Sequence, residues 1–335
     1  MTKVLVTGGA GYIGSHTVKK LGEAGYEIVV YDNLSTSSAE AVLYGEIVKG
    51  DLHDHQLLMQ VFARHKFDAV LHFAASISVP ESLERPLDYY YNNTCNVVNL
   101  LRCCRAYNVD RFVFSSTAAV YGEIQDYPVT ETSPTLPINP YGKSKLMSEN
   151  IIRDYARASQ LKYIILRYFN VAGADSSGKI GQMGKKAAHL IKVGCDAALG
   201  IRDSASIFGT DYSTPDGTGI RDYIHVEDLA VAHVDALDYL KQESTSQILN
   251  CGYGKGYSVK EVLSKIKEIS GVDFTVKETG RREGDPACVI ASADKIRDII
   301  GWQPQHDSLD KIVSSALAWE KKKLSQSKKS LRSTK

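Results

Sequence analysis

A doubly wound α/β fold with a parallel central sheet is what this 335-residue sequence predicts, on three observations. Short β-branched runs alternate with helical apolar spacing from residue 3 to about residue 170. A glycine-rich turn, Gly8-x-x-Gly11-x-x-Gly14, separates the first strand from the first helix, and a carboxylate, Asp32, stands at the end of the second strand. Each intervening helix carries the chain back across the sheet, so successive strands run parallel.

Lys3–Thr7 reads as a buried strand and Tyr12 to about Ala24 as a helix closed by Gly25. Strands are expected at Glu27–Tyr31, Glu46–Lys49, Ala69–Phe73, Arg111–Ser116 and Lys162–Leu166. Helices are expected at His55–His65, Leu87–Tyr107 and Tyr141–Ser159, the last started by Pro140. From Asn170 the pattern loosens: glycines crowd 173–184, a helix follows near 184–200, and an irregular loop spans 209–219. Helices near 227–241, 258–270 and 308–323 then alternate with strands at 247–251 and 274–277. The length exceeds one ordinary core. Residues 1–170 are expected to form the first domain, with parts of 220–251 returning to it, and 171–320 a smaller C-terminal α/β substrate domain.

The formal net charge is +1 with 24% charged residues, so no global field recruits nucleic acid or an acidic membrane. Basic residues pool only in 321–335, a Ser-rich stretch with seven Lys/Arg and no acid, which reads as a disordered tail. The six cysteines are scattered without metal-ligand spacing, so no metal is expected. Scattered thiols, no charged-then-apolar leader before Lys3 and no run nearing 18 apolar residues give cytoplasmic as the expected location.

The chemistry gathers at one edge. Gly8, Gly11 and Gly14 allow a tight turn, backbone approach to a pyrophosphate and close helix packing, with the helix N-terminus facing the anion. Asp32 is placed to accept from adenosine ribose hydroxyls, which favours NAD over its 2′-phosphorylated form, and a Rossmann-type domain follows. Phe73-Ala74-Ala75 and Ser115-Ser116-Thr117 follow successive strands, where ligands bind in such sheets. Tyr141 and Lys145 are i and i+4 on one helical face, so an ammonium there favours the phenolate and makes Tyr141 a candidate base. Thr117 offers a hydroxyl between Tyr141 and a substrate. Arg221 and Arg282 can clamp a diphosphate bidentately, and Asp285 can accept from a ribose or cap the turn before Pro286.

Six stretches, namely Thr7–Gly14, Ser115–Gly122, Tyr141–Lys145, Arg167–Asn170, Gly217–His225 and Arg281–Asp285, together resemble the UDP-glucose 4-epimerase family of extended short-chain dehydrogenases/reductases. The likeness runs from about residue 2 to residue 320. It implies reversible C4 epimerisation of UDP-hexoses in galactose metabolism, with Tyr141 as base, Lys145 on the nicotinamide ribose and Thr117 at the Ser/Thr position. It places Tyr12, Ile13, Asp32, Asn33, Asp51, Leu52, Phe73, Ala74, Asn92 and Phe169 along NAD, beside Ala75 and Ser115. Asn170, His189, Leu190, Ile207, Phe208, Arg221, Arg282, Asp285 and Val289 would meet the UDP-sugar. A homodimer through the helices near 88–107 and 141–159 is also implied.

The chain departs from some members at three positions. Ile77 stands for a Lys near the cofactor diphosphate, His189 for an Asn, and Val289 for a large Tyr that excludes N-acetyl sugars. The last implies a pocket that also admits UDP-GlcNAc and UDP-GalNAc. Two enzymatic alternatives are an epimerase acting mainly on a pentose or uronate UDP-sugar and a nucleotide-sugar 4,6-dehydratase. Ala118-Ala119 stands where similar dehydratases carry Asp-Glu, which argues against the second. A non-catalytic NAD-sensing protein would show a damaged Tyr/Lys/Thr set, and this one is intact.

Overall fold

Val4, Leu5 and Val6 are adjacent and all fully buried, so the strand that holds them needs apolar cover on both faces. A computed structural model, which describes residues 1–123, 126–184, 189–243 and 245–333, shows that cover. Six strands come first in the chain: β1 (Lys3–Thr7), β2 (Glu27–Asp32), β3 (Glu46–Lys49), β4 (Ala69–His72), β5 (Arg111–Ser115) and β6 (Lys162–Tyr168). With the later strand Gln247–Cys251 they form a seven-stranded parallel sheet, in the order 247–251, β6, β5, β4, β1, β2, β3. Helices Tyr12–Glu23 and Val226–Gln242 cover one face, where Val18, Leu21, Leu229 and Leu237 are buried. On the other face Leu58, Phe62, Leu100 and Ile152 come from helices His55–His65, Asn96–Ala106 and Pro140–Arg157. The order reverses between β1 and β4, which opens a crevice at their carboxyl ends.

The second layer is smaller. Ile220–His225 pairs parallel with Asn170–Ala172 and Cys288–Val289 and antiparallel with Gly256–Ser258. Ala205–Phe208 and Val276–Thr279 make a separate parallel pair. Helices Leu190–Ala198, Val259–Ser270 and Leu309–Ser333 pack beside them. Val259–Ser270 is closed at both ends by local chemistry: a Ser258/Glu261 capping box, and Gly271 at φ +70. Within 220–251, the helix Val226–Gln242 and the strand Gln247–Cys251 join the large layer, while Ile220–His225 belongs to the small sheet.

Three elements differ from the sequence reading. The helix expected over 87–107 is Pro86–Tyr89 and Asn96–Ala106 joined by a π-helical segment, Tyr90–Cys95. Contacts to the neighbouring helix and to the loop after β4 accompany this widened turn. The Asn93 carboxamide donates to Ser144 Oγ and to Ser76 O at 3.0 Å each, Thr94 Oγ1 donates to Ser144 O at 3.1 Å, and Ser148 Oγ donates to Asn93 O at 3.0 Å. The strand expected at 274–277 lies at Val276–Thr279, set by its pairing with Ala205–Phe208. The basic segment expected to be disordered from Lys321 continues the last helix to Ser333; Lys322 Nζ donates to Gly178 O at 2.6 Å, and Lys323 Nζ donates to Gln182 O at 3.0 Å and pairs with Glu320 at 3.3 Å. Of the helix expected near 184–200, residues 185–188 lie outside the described residues. Among the described residues no helix is long and apolar enough to cross a membrane.

Candidate active site

At the crevice the glycine turn is held by sterics. Gly8 has φ +71, and a β-carbon on it would lie 2.5 Å from Ala74 N; one on Gly14 would lie 2.3 Å from Gly8 O. A β-carbon on Gly11 would meet only Gly8 O, at 3.1 Å, so that side of the turn is left for something outside the protein. Gly11 is also the N-cap of helix Tyr12–Glu23, which has no side-chain cap and no acid in its first turn. Its first amides therefore point at whatever anion enters the turn. These features fit a pyrophosphate.

Asp32 is buried at the end of β2, accepting from Ala10 N at 3.0 Å, Leu34 N at 2.8 Å and Ser37 Oγ at 3.3 Å. A carboxylate has about four acceptor sites, so one remains for a ribose hydroxyl. Asn33 Nδ2 donates to Asp51 Oδ2 at 2.8 Å, which ties the ends of β2 and β3 together beside buried Leu52. After β4, Ala74 N donates to Thr7 O at 3.2 Å, Phe73 packs against His233 with 4.6 Å between ring centroids, and Ala75 follows. Asn92 Nδ2 donates to Ser76 Oγ at 3.0 Å. Tyr12 donates to Gly173 O at 2.6 Å, Ile13 packs on the core, and Ser115 Oγ lies 3.3 Å from His233 Nε2. Phe169 is buried just past β6.

The catalytic candidates meet above β5. Asn139 caps helix Pro140–Arg157 by accepting from Gly142 N at 2.9 Å, which sets Tyr141 in the first turn. A β-carbon on Gly142 would lie 2.5 Å from Ala119 O, so this glycine lets the helix press on the turn that starts at Thr117. The Thr117 hydroxyl accepts from Ala119 N at 3.1 Å and lies near enough to Tyr141 to favour its phenolate. Tyr141 is 7% exposed, and burial pushes its phenol up against the opposing pull of Thr117. Burial pulls Lys145 down to about 7, while the Glu149 carboxylate favours its charged form. Its ammonium lies 4.1 Å from the Phe114 ring centroid. In the protein alone the phenol is therefore raised and not lowered, because desolvation outweighs what the neighbours give.

The second layer faces this edge. Arg282 stacks on Phe208 at 4.0 Å, next in chain to Ile207, and Tyr212 donates to Asp285 O at 3.4 Å. Arg221 pairs in register with Val289, and its Nη1 donates to Ile220 O at 2.8 Å. His189 is the N-cap residue before Leu190, and Asn170 opens the short strand after β6.

Two clusters escaped the sequence reading. Glu149, Ser116, Arg167 and Tyr121 form a buried polar group behind Tyr141; the four-residue step from Lys145 to Glu149 was the available signal. His225, Glu227 and His306 converge within 4.8 Å, although 306 is remote in sequence. Both His225 nitrogens are engaged, Nδ1 accepting from Glu227 N at 3.1 Å and Nε2 meeting Ser315 Oγ at 3.0 Å, so the cluster reads as a hydrogen-bonded helix start.

Comparison with known proteins agrees with this geometry. Residues 4–252 match the NAD dependent epimerase/dehydratase family. A UDP-glucose 4-epimerase of Azospirillum brasilense is 54% identical over 320 residues, covering 95% of this chain and 92% of its own. The Bifidobacterium longum UDP-glucose 4-epimerase, solved with NAD+ and UDP, superposes with a TM-score of 0.92 at 39% identity, covering 96% and 98% of the two chains. The Campylobacter jejuni UDP-Glc/GlcNAc 4-epimerase gives 0.84 at 51% identity, covering 96% and 100%.

Proposed function

The chain belongs to the NAD dependent epimerase/dehydratase family, and from that premise we propose that it interconverts UDP-glucose and UDP-galactose by inversion at C4. The observation that carries the reading is that buried Tyr141, its phenol influenced by Thr117, sits one helical turn from Lys145 at the same carboxyl edge of the sheet as the glycine turn. Gly8, Gly11 and Gly14 hold the diphosphate of NAD, Asp32 its adenosine ribose, and Lys145 the ribose next to the nicotinamide. When bound, NAD takes the C4 hydride and returns it. Tyr141, through Thr117, accepts the C4 hydroxyl proton and later gives it back. Arg221, Arg282 and Asp285 grip the UDP part, leaving the sugar free to present its other face as a 4-keto intermediate. The direct test is to incubate the purified protein with UDP-galactose and no added NAD. UDP-glucose should appear, and a failure that added NAD does not cure would remove the assignment.

The sugar pocket carries a finer reading. Val289 is buried in register with Arg221, and its side chain is smaller than the Tyr that some members carry there. The protein should therefore also turn over UDP-GlcNAc and UDP-GalNAc. Val289→Tyr is expected to cut that activity by roughly tenfold or more while sparing the unsubstituted pair. Equal effects on both pairs would rule out Val289 as the selector.

We also assign a homodimer. Leu87 (79% exposed), Tyr91 (59%), Val98 (39%) and Met147 (46%) are apolar groups in solvent on the helices that span 86–106 and 140–157. Leu87→Glu is expected to shift the sedimentation coefficient from dimer to monomer; a chain that already sediments as a monomer would refute the assignment. Six free cysteines, five of them buried, support a reducing, cytoplasmic setting.

A further inference from the structure

Behind the Tyr141 face runs a polar line that proton and hydride transfer do not by themselves require. Glu149 is fully buried; it accepts from Ser116 Oγ at 2.5 Å and from Arg167 Nη2 at 2.6 Å. Arg167 Nη1 donates to the Tyr121 hydroxyl at 3.1 Å, and that hydroxyl donates to Asn250 Oδ1 at 2.6 Å. Asn250 Nδ2 in turn donates to Val129 O at 2.9 Å. A buried ion pair of this kind adds little net stability over an apolar pair, so its presence under a reactive face asks for another reason.

The geometry supplies one. Ser116 is the residue before Thr117, so the Glu149–Ser116 bond fastens the strand end bearing the Thr117 hydroxyl to the helix bearing Tyr141 and Lys145. Glu149 also follows Lys145 by one helical turn, on the same side. The titratable groups around Lys145 are few: Tyr141 and Glu149 on its own helix, His72 from β4, and Arg167 from β6, itself bound to Glu149. Tyr168 from β6 and Tyr89 approach through Tyr141. His72 is kept neutral, since burial pulls it down to about 3. The carboxylate beside the ammonium is therefore Glu149.

We propose that Glu149 is a positioning residue for the proton transfer assigned to Tyr141, clamping Ser116-Thr117 to the catalytic helix and setting a negative charge beside Lys145. The inference rests on the reading of Tyr141 as base.

The test separates charge from shape. Glu149→Gln keeps the shape, removes the negative charge and leaves Arg167 unbalanced, so Lys145 gives up its proton at lower pH. The pH above which kcat falls should move down, and each unit of movement is about a tenfold loss of turnover on the alkaline side, with little on the acid side. Glu149→Gln/Arg167→Gln removes both charges and should recover part of the shift. A role in packing alone would lower activity equally at every pH.

Carbon NMR titration of labelled lysine in the NAD-loaded protein, with Lys145 assigned through Lys145→Arg, gives a reading that needs no sugar nucleotide. Its midpoint should fall in the single variant and partly return in the double. That outcome holds whether or not the sugar chemistry is right, so the two failures are distinguishable. Parallel pH profiles and an unmoved Lys145 midpoint, in whichever of the two variants folds, overturn the proposal.

Discussion

Tyr141→Phe is expected to lower epimerase turnover by about 10²–10⁴-fold, the range a positioned acid/base contributes, with the fold and the bound NAD retained. Phenylalanine keeps the ring, including its edge contact with Tyr89 at 6.5 Å between centroids. What it loses is one hydroxyl, and a hydrogen bond made by such a group is worth about 1 kcal/mol of stability. Thr117 remains anchored by Ala119 N. Turnover of UDP-galactose, melting temperature and NAD content after denaturation check the three parts separately. A variant that works at a tenth of the parent rate would mean that another group takes the proton. A variant that melts far below the parent would mean that the residue serves packing first.

Gly8→Ala should be the more damaging change to the molecule as a whole. Two effects combine there: φ is +71, and the added carbon would lie 2.5 Å from Ala74 N and 2.7 Å from Ala74 Cα. Backbone on both sides cannot yield without moving β4 away from β1, and with it the glycine turn assigned above to the diphosphate. Gly25 provides the control, because it has φ +82 with nothing within 4 Å of the added carbon. Gly25→Ala isolates the conformational cost of about 1–2 kcal/mol. Gly8→Ala should cost several kcal/mol more than that, by analogy with overpacked sites, and should yield protein purified without NAD. Equal melting points for the two variants would show that the turn can relax, and the steric account of this motif would fall.

The legible parts of the molecule were those written locally. β1 and the turn after it could be read because Val4, Leu5 and Val6 announce two-sided burial and Gly8 and Gly14 announce a backbone that tolerates no β-carbon. Tyr141 and Lys145 could be read because a helix fixes their spacing, and Asn139-Pro140 fixes where that helix starts. What stayed hidden depends on distant partners. The π segment at Tyr90–Cys95 goes with Ser144 and Ser148 on another helix, and nothing in its own run of residues records them. The direction of the Tyr141 shift was misread for a related reason: a side-chain pair is visible in sequence, whereas desolvation is a property of everything around it. Arg167 looked like part of a motif and proved to be the partner of Glu149, eighteen positions earlier.

The placement of Gln247–Cys251 beside β6 has a consequence for how the chain comes into being. While the polypeptide leaves the ribosome, β6 presents an unpaired edge until the strand that closes it has been made, long after the rest of the nucleotide-binding layer has emerged. Helix Val226–Gln242, the cover for β5 and β6, arrives just ahead of that strand. A cut between residues 170 and 220 would part β6 from the strand that pairs with it. The half that binds the dinucleotide is finished by the half that follows it, so the two are synthesised in sequence but completed together.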